Sequence, residues 1–182
     1  MELPTLRTER LVLMPLGPAD LDEAAVLYSS ADVMRYVAGG PLDRAETVRA
    51  LDECALCWAR DGWGLWAIRD ATSGALLGEA GLQPLEGIAG ASLDFGITLK
   101  RRAWGRGIAT EAGSVVLTDS WQRHADDEIH ALVDIDNRAS RRVLEKLGFE
   151  LAERVEYDDR AHELWAAARP TDRPTTRPTR AS

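Results

Sequence analysis

The sequence predicts one α/β domain with a mixed, mostly antiparallel central sheet of about seven strands flanked by about four helices. A chain of 182 residues that is 45% hydrophobic can bury one substantial core. Apolar runs joined by short turns between residues 64 and 99 indicate antiparallel strands. Further along, a strand, a helix and a second strand follow one another, and such a crossover requires a parallel neighbour in the sheet.

Local signals set the limits of the predicted elements. Gly17 and Pro18 end the first β-prone run. Asp43 and Glu46 have capping-box spacing at the start of a helix, and Gly62 ends that helix. In chain order the sequence predicts a strand at 9–16, helices at 19–30 and 43–61, strands at 64–70, 75–82 and 92–99, a helix at 108–124, a strand at 129–136, a helix at 137–147, and strands at 149–155 and 162–168.

The charge distribution separates a folded body from a tail. The net charge is −8, and residues 169–182 hold four arginines and one aspartate, so residues 1–168 carry −11. Such a body repels nucleic acid and anionic membranes, and we expect neither as a partner. The tail is rich in proline and threonine and is predicted to be disordered. Without a charged-then-apolar leader or an apolar run of ~18 residues, the protein is expected to be cytoplasmic.

The two cysteines form a C-x-x-C motif, which is typical of redox pairs and of half-sites for metals. Cys54 and Cys57 lie inside a predicted helix with no strand directly before it. The histidines His124, His130 and His162 are scattered along the chain. We therefore expect ordinary, partly buried helix cysteines and no metal site.

Residues 101–112, RRAWGRGIATEA, join a predicted strand to a predicted helix. N–H groups in a first helical turn attract anions, and Gly105 and Gly107 remove the Cβ atoms that would hold a pyrophosphate away. One alternative is a loop that only turns the chain. A second is a nicotinamide dinucleotide site, but its G-x-G-x-x-G motif needs glycine where Thr110 stands, and it belongs to a sheet of successive parallel crossovers.

Two motifs carry a family resemblance. LKRRAWGRGIATEA at 99–112 and DNRASRRVLEKLGFE at 136–150 resemble the acetyl-CoA-binding core of the GNAT superfamily of N-acetyltransferases. The resemblance is greatest to the branch that includes ribosomal-protein N-terminal acetyltransferases, and it covers roughly residues 5–168. It implies a GNAT-like domain at 1–168 that uses acetyl-CoA as co-substrate.

The resemblance also implies which residues hold acetyl-CoA. The backbone of the last predicted strand before the loop would pair with the pantetheine arm and donate an N–H to the thioester carbonyl. The glycine loop would bind the pyrophosphate, and the residue that opens the next helix would contribute as a cofactor ligand or as a plain N-cap. The implied residues are Ile97, Thr98, Leu99, Arg102, Gly105, Arg106, Gly107, Ile108, Ala109, Thr110 and Asn137.

The implied reaction is direct attack of a neutral primary amine on acetyl-CoA, assisted by a base and an acid. The family often places a tyrosine acid where this chain has Leu144, and Ser140 is the substitute that the related branch suggests. Asp94 and Glu79 are the candidate bases, each of which can instead be a surface carboxylate. A base acting through ordered water is a further alternative.

The functional prediction is transfer of acetyl to a peptide or protein N-terminal α-amine or to a small amine. An α-amine is favoured over lysine because it loses its proton more easily. The absence of a tyrosine at Leu144 leaves open a catalytically silent acyl-CoA-binding regulator. The sequence is compatible with a monomer or a homodimer.

Overall fold

The computed structural model describes residues 4–123 and 127–170. These residues form eight strands and five α-helices, together with short 3₁₀ turns at Pro18–Asp20 and Arg101–Ala103. The elements are β1 (Leu6–Arg7), β2 (Leu11–Pro15), α1 (Leu21–Tyr28), α2 (Ala31–Met34), α3 (Arg44–Asp61), β3 (Leu65–Asp70), β4 (Leu76–Pro84), β5 (Leu93–Leu99), α4 (Ile108–Arg123), β6 (Glu128–Asp134), α5 (Arg138–Lys146), β7 (Glu150–Tyr157) and β8 (Arg160–Ala168).

The predicted fold class is confirmed, with one strand and one helix more than expected. The additional elements are β1, of two residues, and α2, of four. Both are too short for hydrophobic periodicity to reveal. The predicted turn at 156–161 is also shorter than expected, because β7 and β8 continue up to Asp158 and Asp159. His124 and residues 171–182 of the predicted tail lie outside the described residues.

The sheet has the order β1-β2-β3-β4-β5-β6-β8-β7, and β5 with β6 is its parallel pair. The other neighbours are antiparallel, as expected for a mixed sheet. β4 and β5 stay in register from Gly78 opposite Leu99 to Pro84 opposite Leu93. In the described chain, by contrast, the pairing of β5 with β6 joins only Asp94 and His130. A gap therefore opens between β5 and β6 toward their C-terminal ends.

Helices cover both faces of the sheet. Along β3, Ile68 belongs to the buried cluster that contains Ile108 of α4, and Ala67 belongs to the cluster that contains Leu27 of α1 and Leu51 of α3. Because neighbouring strand residues point to opposite faces, α4 covers one face while α1 and α3 cover the other. Because α4 also packs against β5, it lies beside the gap between β5 and β6.

The helix α3 begins and ends where its capping residues predict. The Glu46 N–H donates to Asp43 Oδ1 at 2.8 Å, and the Asp43 N–H donates to Glu46 Oε2 at 2.7 Å. Gly62 follows the helix with a φ of 73°, which favours glycine. Cys54 and Cys57 lie within this helix as free thiols. Across residues 4–123 and 127–170, no His, Cys, Asp and Glu cluster suits a metal ion and no helix suits a membrane span.

Candidate active site

The loop between β5 and α4 has a backbone that glycine alone adopts readily. Gly105 has a φ of 69° and Gly107 a φ of 77°, both in the left-handed region. A Cβ built on Gly105 meets nothing within 4 Å, and one on Gly107 meets only Arg10 Nη2, at 3.6 Å. The space above the loop is therefore open, and a Cβ would occupy part of it.

The N-terminus of α4 presents main-chain N–H groups to that space. A hydrogen bond from the Glu111 N–H to the Gly107 carbonyl begins the helix, with a length of 3.0 Å. The N–H groups before Glu111 consequently have no partner within the helix, and the helix dipole adds positive charge there. This end of α4 suits an anion, and a pyrophosphate fits both its charge and its open space.

Glu111 lies in the same helical turn, but its charge is neutralised. Thr8 and Arg10 donate to its two carboxylate oxygens. Partial burial opposes ionisation, yet these two partners hold the pKa of Glu111 below its ordinary value. The carboxylate therefore remains ionised and paired with Arg10, so that it repels an anion at the loop less than a bare charge would.

The loop arginines are not equivalent. Arg101 forms an ion pair with Asp32 at 2.6 Å, and Arg102 donates from Nη2 to the Leu76 carbonyl at 3.1 Å. Arg106 has an exposed side chain, and its carbonyl accepts a bond from Arg10 at 3.0 Å. The guanidinium of Arg102 therefore anchors the loop to the start of β4, while Arg106 reaches into solvent beside the glycines.

The edge of β5 that faces the gap offers main-chain groups. The Lys100 N–H donates to the Leu77 carbonyl, toward β4, at 2.8 Å. Main-chain groups alternate between the two edges of a strand, so Ile97 and Leu99 face the gap while Thr98 faces β4. Trp104 Nε1 donates to the Leu99 carbonyl at 2.8 Å. Of the three residues predicted to pair with the pantetheine arm, Ile97 and Leu99 thus face the gap, whereas Thr98 pairs with β4.

Glu79 on β4 is buried opposite Thr98 of β5. Burial raises its pKa to about 7, although hydrogen bonds from the Tyr28 and Thr98 hydroxyls lower it in part. Burial first, and then the charge of Glu79, raise the pKa of Cys54 to about 12, so this neighbouring thiol stays protonated. Glu79 thus lies in a small buried polar cluster between α1, α3 and the sheet.

Glu79 differs from the other buried carboxylates of the described residues. Those three carboxylates all have arginine partners, whereas the partners of Glu79 are hydroxyl groups. The ion pairs are Asp20 with Arg69, Asp134 with Arg160, and Glu163 with Arg141 and Arg154. A carboxylate that lacks a cation in a buried site holds a proton more readily, which suits proton transfer near neutral pH.

Asp94, the other candidate base, lies half-buried at the closed end of the gap. Its Oδ1 accepts the Leu132 N–H at 2.8 Å, and its Oδ2 accepts Gln83 Nε2 at 2.9 Å. Burial raises its pKa, and these two hydrogen bonds together with the charge of His162 oppose the rise. Both carboxylate oxygens are therefore engaged by groups of the neighbouring strands.

The start of α5 holds the last predicted site residues. Asn137 is the N-cap of this helix, and its Oδ1 accepts the Ser140 N–H at 3.1 Å. Ser140 is half-buried on the first turn, one turn before Leu144. The Leu144 side chain is 5% exposed and packs in the main core. Leu144 therefore packs in the core and supplies no hydroxyl acid.

Sequence reasoning missed Tyr28 and Trp104. Tyr28 lies in α1, whose spacing predicts only a helix, and its contact with Glu79 spans 51 residues of chain. Trp104 lies within the glycine motif, but nothing in the motif shows that its indole reaches the Leu99 carbonyl. Both contacts depend on how separate elements meet, and local spacing carries no signal for them.

The family model of the acetyltransferase (GNAT) domain matches residues 10–150 of this sequence. These residues include the glycine loop, β5 and the start of α5. The chain belongs to the GNAT acetyltransferase family. Proteins of this family transfer an acyl group from acetyl-CoA, so this activity class applies to the chain. The match spans both sequence motifs.

The chain is also similar to two proteins of Bacillus subtilis and to solved structures. YkkB of Bacillus subtilis is 30% identical over 139 residues, which cover 75% of this chain and 80% of the relative. The N-acetyltransferase YoaA of Bacillus subtilis is 26% identical over 148 residues, which cover 81% of this chain and 83% of the relative. The solved structure of a GNAT-family acetyltransferase from Bordetella pertussis has a TM-score of 0.80 and 28% identity, covering 91% of this chain and 99% of the other.

The expected branch is not specifically supported. The ribosomal-protein-S5-alanine acetyltransferase from Vibrio fischeri has a TM-score of 0.76 and covers 91% of this chain and 96% of its own, but is 14% identical. A likeness at that identity shows the shared fold alone. The GNAT family is therefore established for this chain, and the acceptor of the acetyl group is not fixed by these similarities.

Proposed function

We propose that this GNAT acetyltransferase moves an acetyl group from acetyl-CoA to a primary amine, and prefers α-amines. The observation that carries the proposal is Glu79, a buried carboxylate with hydroxyl partners, a raised pKa of about 7 and a place beside β5. A base of this kind has the proton affinity that amine acylation near neutral pH needs.

The proposed acetyl-CoA site combines the loop and the β5 edge. The residues from Gly105 to Thr110 bind the pyrophosphate through main-chain N–H groups, and Arg106 adds attraction from solvent. The main-chain groups of Ile97 and the N–H of Leu99 form hydrogen bonds with the amides of the pantetheine arm, which lies beside β5 as an added strand. When bound, acetyl-CoA supplies an activated thioester carbonyl.

Three other residues support this site. Thr98 orders β5 by pairing with β4, Arg102 fastens the loop to the Leu76 carbonyl, and Asn137 fixes the start of α5. We propose that each of these residues acts through the shape of the site. The sequence-based role of Asn137 as a direct cofactor ligand is compatible with its cap, because the cap uses only Oδ1 and leaves Nδ2.

The proposed proton acceptor is Glu79. β5 lies between Glu79 and the gap, and the Thr98 hydroxyl on that strand donates to the Glu79 carboxylate. A proton from an amine in the gap reaches Glu79 through this hydroxyl or through ordered water. Only the ionised form accepts it, so the rate rises with pH through about 7.

The proton affinity of Glu79 favours an α-amine. At pH 7, deprotonation costs roughly 1 kcal/mol for an α-amino group of pKa ~7.8 and about 4.6 kcal/mol for a lysine of pKa ~10.4. A carboxylate with a pKa of about 7 can assist the first task far more effectively than the second. The proposed acceptors are peptide or protein N-termini as well as small amines.

Ser140 is proposed to protonate the departing thiolate. It lies half-buried on the first turn of α5, after the β6 strand that borders the gap. Its N–H is engaged by Asn137, and this leaves the hydroxyl to act on a neighbour. A thiolate of pKa ~8.5 is already a tolerable leaving group, so the expected assistance is modest.

The test compares two peptides of one sequence, the first with a free N-terminus and a blocked lysine, the second with these reversed. We expect CoA release with the first peptide to have the higher kcat/KM at pH 7. A higher kcat/KM for the lysine peptide contradicts the α-amine preference. Acetyl-CoA binding with no CoA release across a broad amine panel indicates instead a silent acyl-CoA-binding regulator, the alternative that the buried Leu144 leaves open.

A further inference from the structure

The carboxylate of Asp94 lies where the pairing of β5 with β6 stops. In the described chain, these strands are in register at Asp94 and His130. Leu132 follows two residues later on β6, and its N–H points at β5, where it donates to Asp94 Oδ1 at 2.8 Å. On the other side, Gln83 of β4 donates to Oδ2 at 2.9 Å. One side chain thus connects three strands at the closed end of the gap.

A side chain in this position keeps two strands apart. Paired strands lie ~4.8 Å from each other, a spacing that leaves no room for a carboxylate between their main chains. In a continuing parallel ladder, a main-chain carbonyl of the neighbouring strand accepts such an N–H. Here the Asp94 carboxylate accepts the Leu132 N–H instead, so β6 diverges without leaving this half-buried N–H unpaired.

We propose that Asp94 is a positioning residue that holds β5 and β6 apart, so that the arm of acetyl-CoA can pair with the open edge of β5. This inference rests on the proposed acetyl-CoA site. The pyrophosphate loop follows the C-terminal end of β5, so an arm that runs back along this strand from Gly105 leads toward Asp94. Asp94 therefore acts through the shape of the gap, and Glu79 is the carboxylate left for proton transfer.

The experiment compares Asp94→Ala, Asp94→Asn and Gln83→Ala by calorimetry with acetyl-CoA and by hydrogen exchange at the Leu132 amide. The alanine variant removes the acceptor of Leu132, so we expect a Kd about tenfold higher or more and faster exchange. Asparagine keeps an acceptor oxygen and should restore the Kd to within about threefold of the original and the slow exchange. Gln83→Ala keeps the Leu132 bond and should behave like asparagine.

Several outcomes overturn the inference. One is an Asp94→Ala protein that keeps its melting temperature and binds acetyl-CoA as tightly as the original. Another is an Asp94→Asn protein that loses affinity, or that binds normally but loses ~10²-fold or more in kcat, because that pattern identifies a proton acceptor. If the alanine variant does not fold, fast Leu132 exchange with normal affinity in Asp94→Asn overturns it.

Failure of the proposed function gives a different result. An original protein that does not bind acetyl-CoA contradicts the proposed site. The Leu132 exchange rates in the three variants still test whether Asp94 separates the strands, because that measurement needs no ligand.

Discussion

At the scale of single residues, the partners of a carboxylate decide its chemistry. Glu79 and Asp94 lie on adjacent strands and are both removed from water in part, and burial raises the pKa of each. Asp94 uses both oxygens to accept bonds from neighbouring strands, whereas Glu79 faces two hydroxyl groups. The first arrangement suits a structural bridge, and the second suits a group that gains and loses a proton.

Replacing Glu79 with glutamine should lower kcat by ~10²-fold or more and remove the titration near pH 7 from the rate profile, leaving the rise that belongs to the substrate amine of pKa ~7.8. Glutamine retains the size of the side chain but cannot accept a proton. Steady-state rates from pH 5.5 to 9 provide the measurement. Glu53→Gln, at an exposed position of α3, is the matched control and should keep the original profile. A kcat within about twofold of the original in Glu79→Gln would exclude Glu79 as the base.

The same substitution should alter the pH dependence of stability. The pKa of Glu79 rises from 4.5 to about 7 on folding, so between these values the folded protein holds a proton that the unfolded chain releases. The free energy of unfolding therefore falls as the pH rises through this window. Thermal unfolding at pH 5 and pH 8 should show a smaller difference in Glu79→Gln than in the original protein. An equal or larger difference would contradict the assigned pKa shift.

Replacing Ser140 with alanine should lower kcat by ~10²-fold, which is the low end of the range for general acids. The Kd of acetyl-CoA should change little. The cap of α5 survives, because Asn137 accepts the main-chain N–H of this residue rather than the hydroxyl. Turnover kinetics with a free α-amine provide the measurement. A kcat within about twofold of the original rejects the role of Ser140.

At the scale of elements, the junction of β5 with α4 joins a strand edge to a helix N-terminus. Gly105 and Gly107 supply the left-handed backbone that makes this junction tight. The Trp104 indole attaches this loop to the Leu99 carbonyl, and the Arg102 guanidinium attaches it to the Leu76 carbonyl. These bonds hold the loop against β4 and β5, and preorganisation of this kind improves affinity.

Replacing Gly107 with valine should weaken acetyl-CoA binding by at least tenfold, because its side chain would enter the space over the α4 N-terminus. Calorimetry measures the change. Valine also strains a φ of 77°, so Gly74→Val, at a φ of 71° in the turn between β3 and β4, is the matched control. The control should lose similar stability and keep its affinity. Unchanged affinity in a folded Gly107→Val protein removes the loop from the site.

At the scale of the whole molecule, Arg169 joins the end of β8 to the rest of the described chain. The Arg169 N–H donates to the Asp127 carbonyl at 2.8 Å, and its guanidinium lies 5.3 Å from the centre of the Trp121 ring. These contacts attach the end of β8 to the region after α4. The boundary that the sequence predicts between an acidic body and a basic tail lies at this residue.

Deletion of residues 171–182 should leave folding and acetyl transfer intact, because the segment has too little apolar content to add to the core. The truncation keeps Arg169 and its contacts with Asp127 and Trp121. Melting temperature and kcat/KM should match those of the full chain. Aggregation or loss of activity in the shortened protein would show that the tail packs against the body.

The sequence by itself determined the features that depend on local chemistry. The capping box of α3, the glycine loop before α4, the Asn137 cap and the hairpins all follow from residue types at short spacing, and two such motifs at their proper separation indicated the family. The mixed sheet also followed, because a crossover needs a parallel neighbour.

Only the tertiary structure distinguished the two candidate bases. Sequence placed Glu79 and Asp94 on neighbouring strands and gave no ground for choosing between them. The choice depends on which groups reach each carboxylate, and those groups, Tyr28 and Leu132, are 51 and 38 residues away. Contacts at such separations are set by strand register and helix packing, which no local pattern encodes. The roles proposed for these two acids therefore rest on their hydrogen-bond partners and burial rather than on residue type.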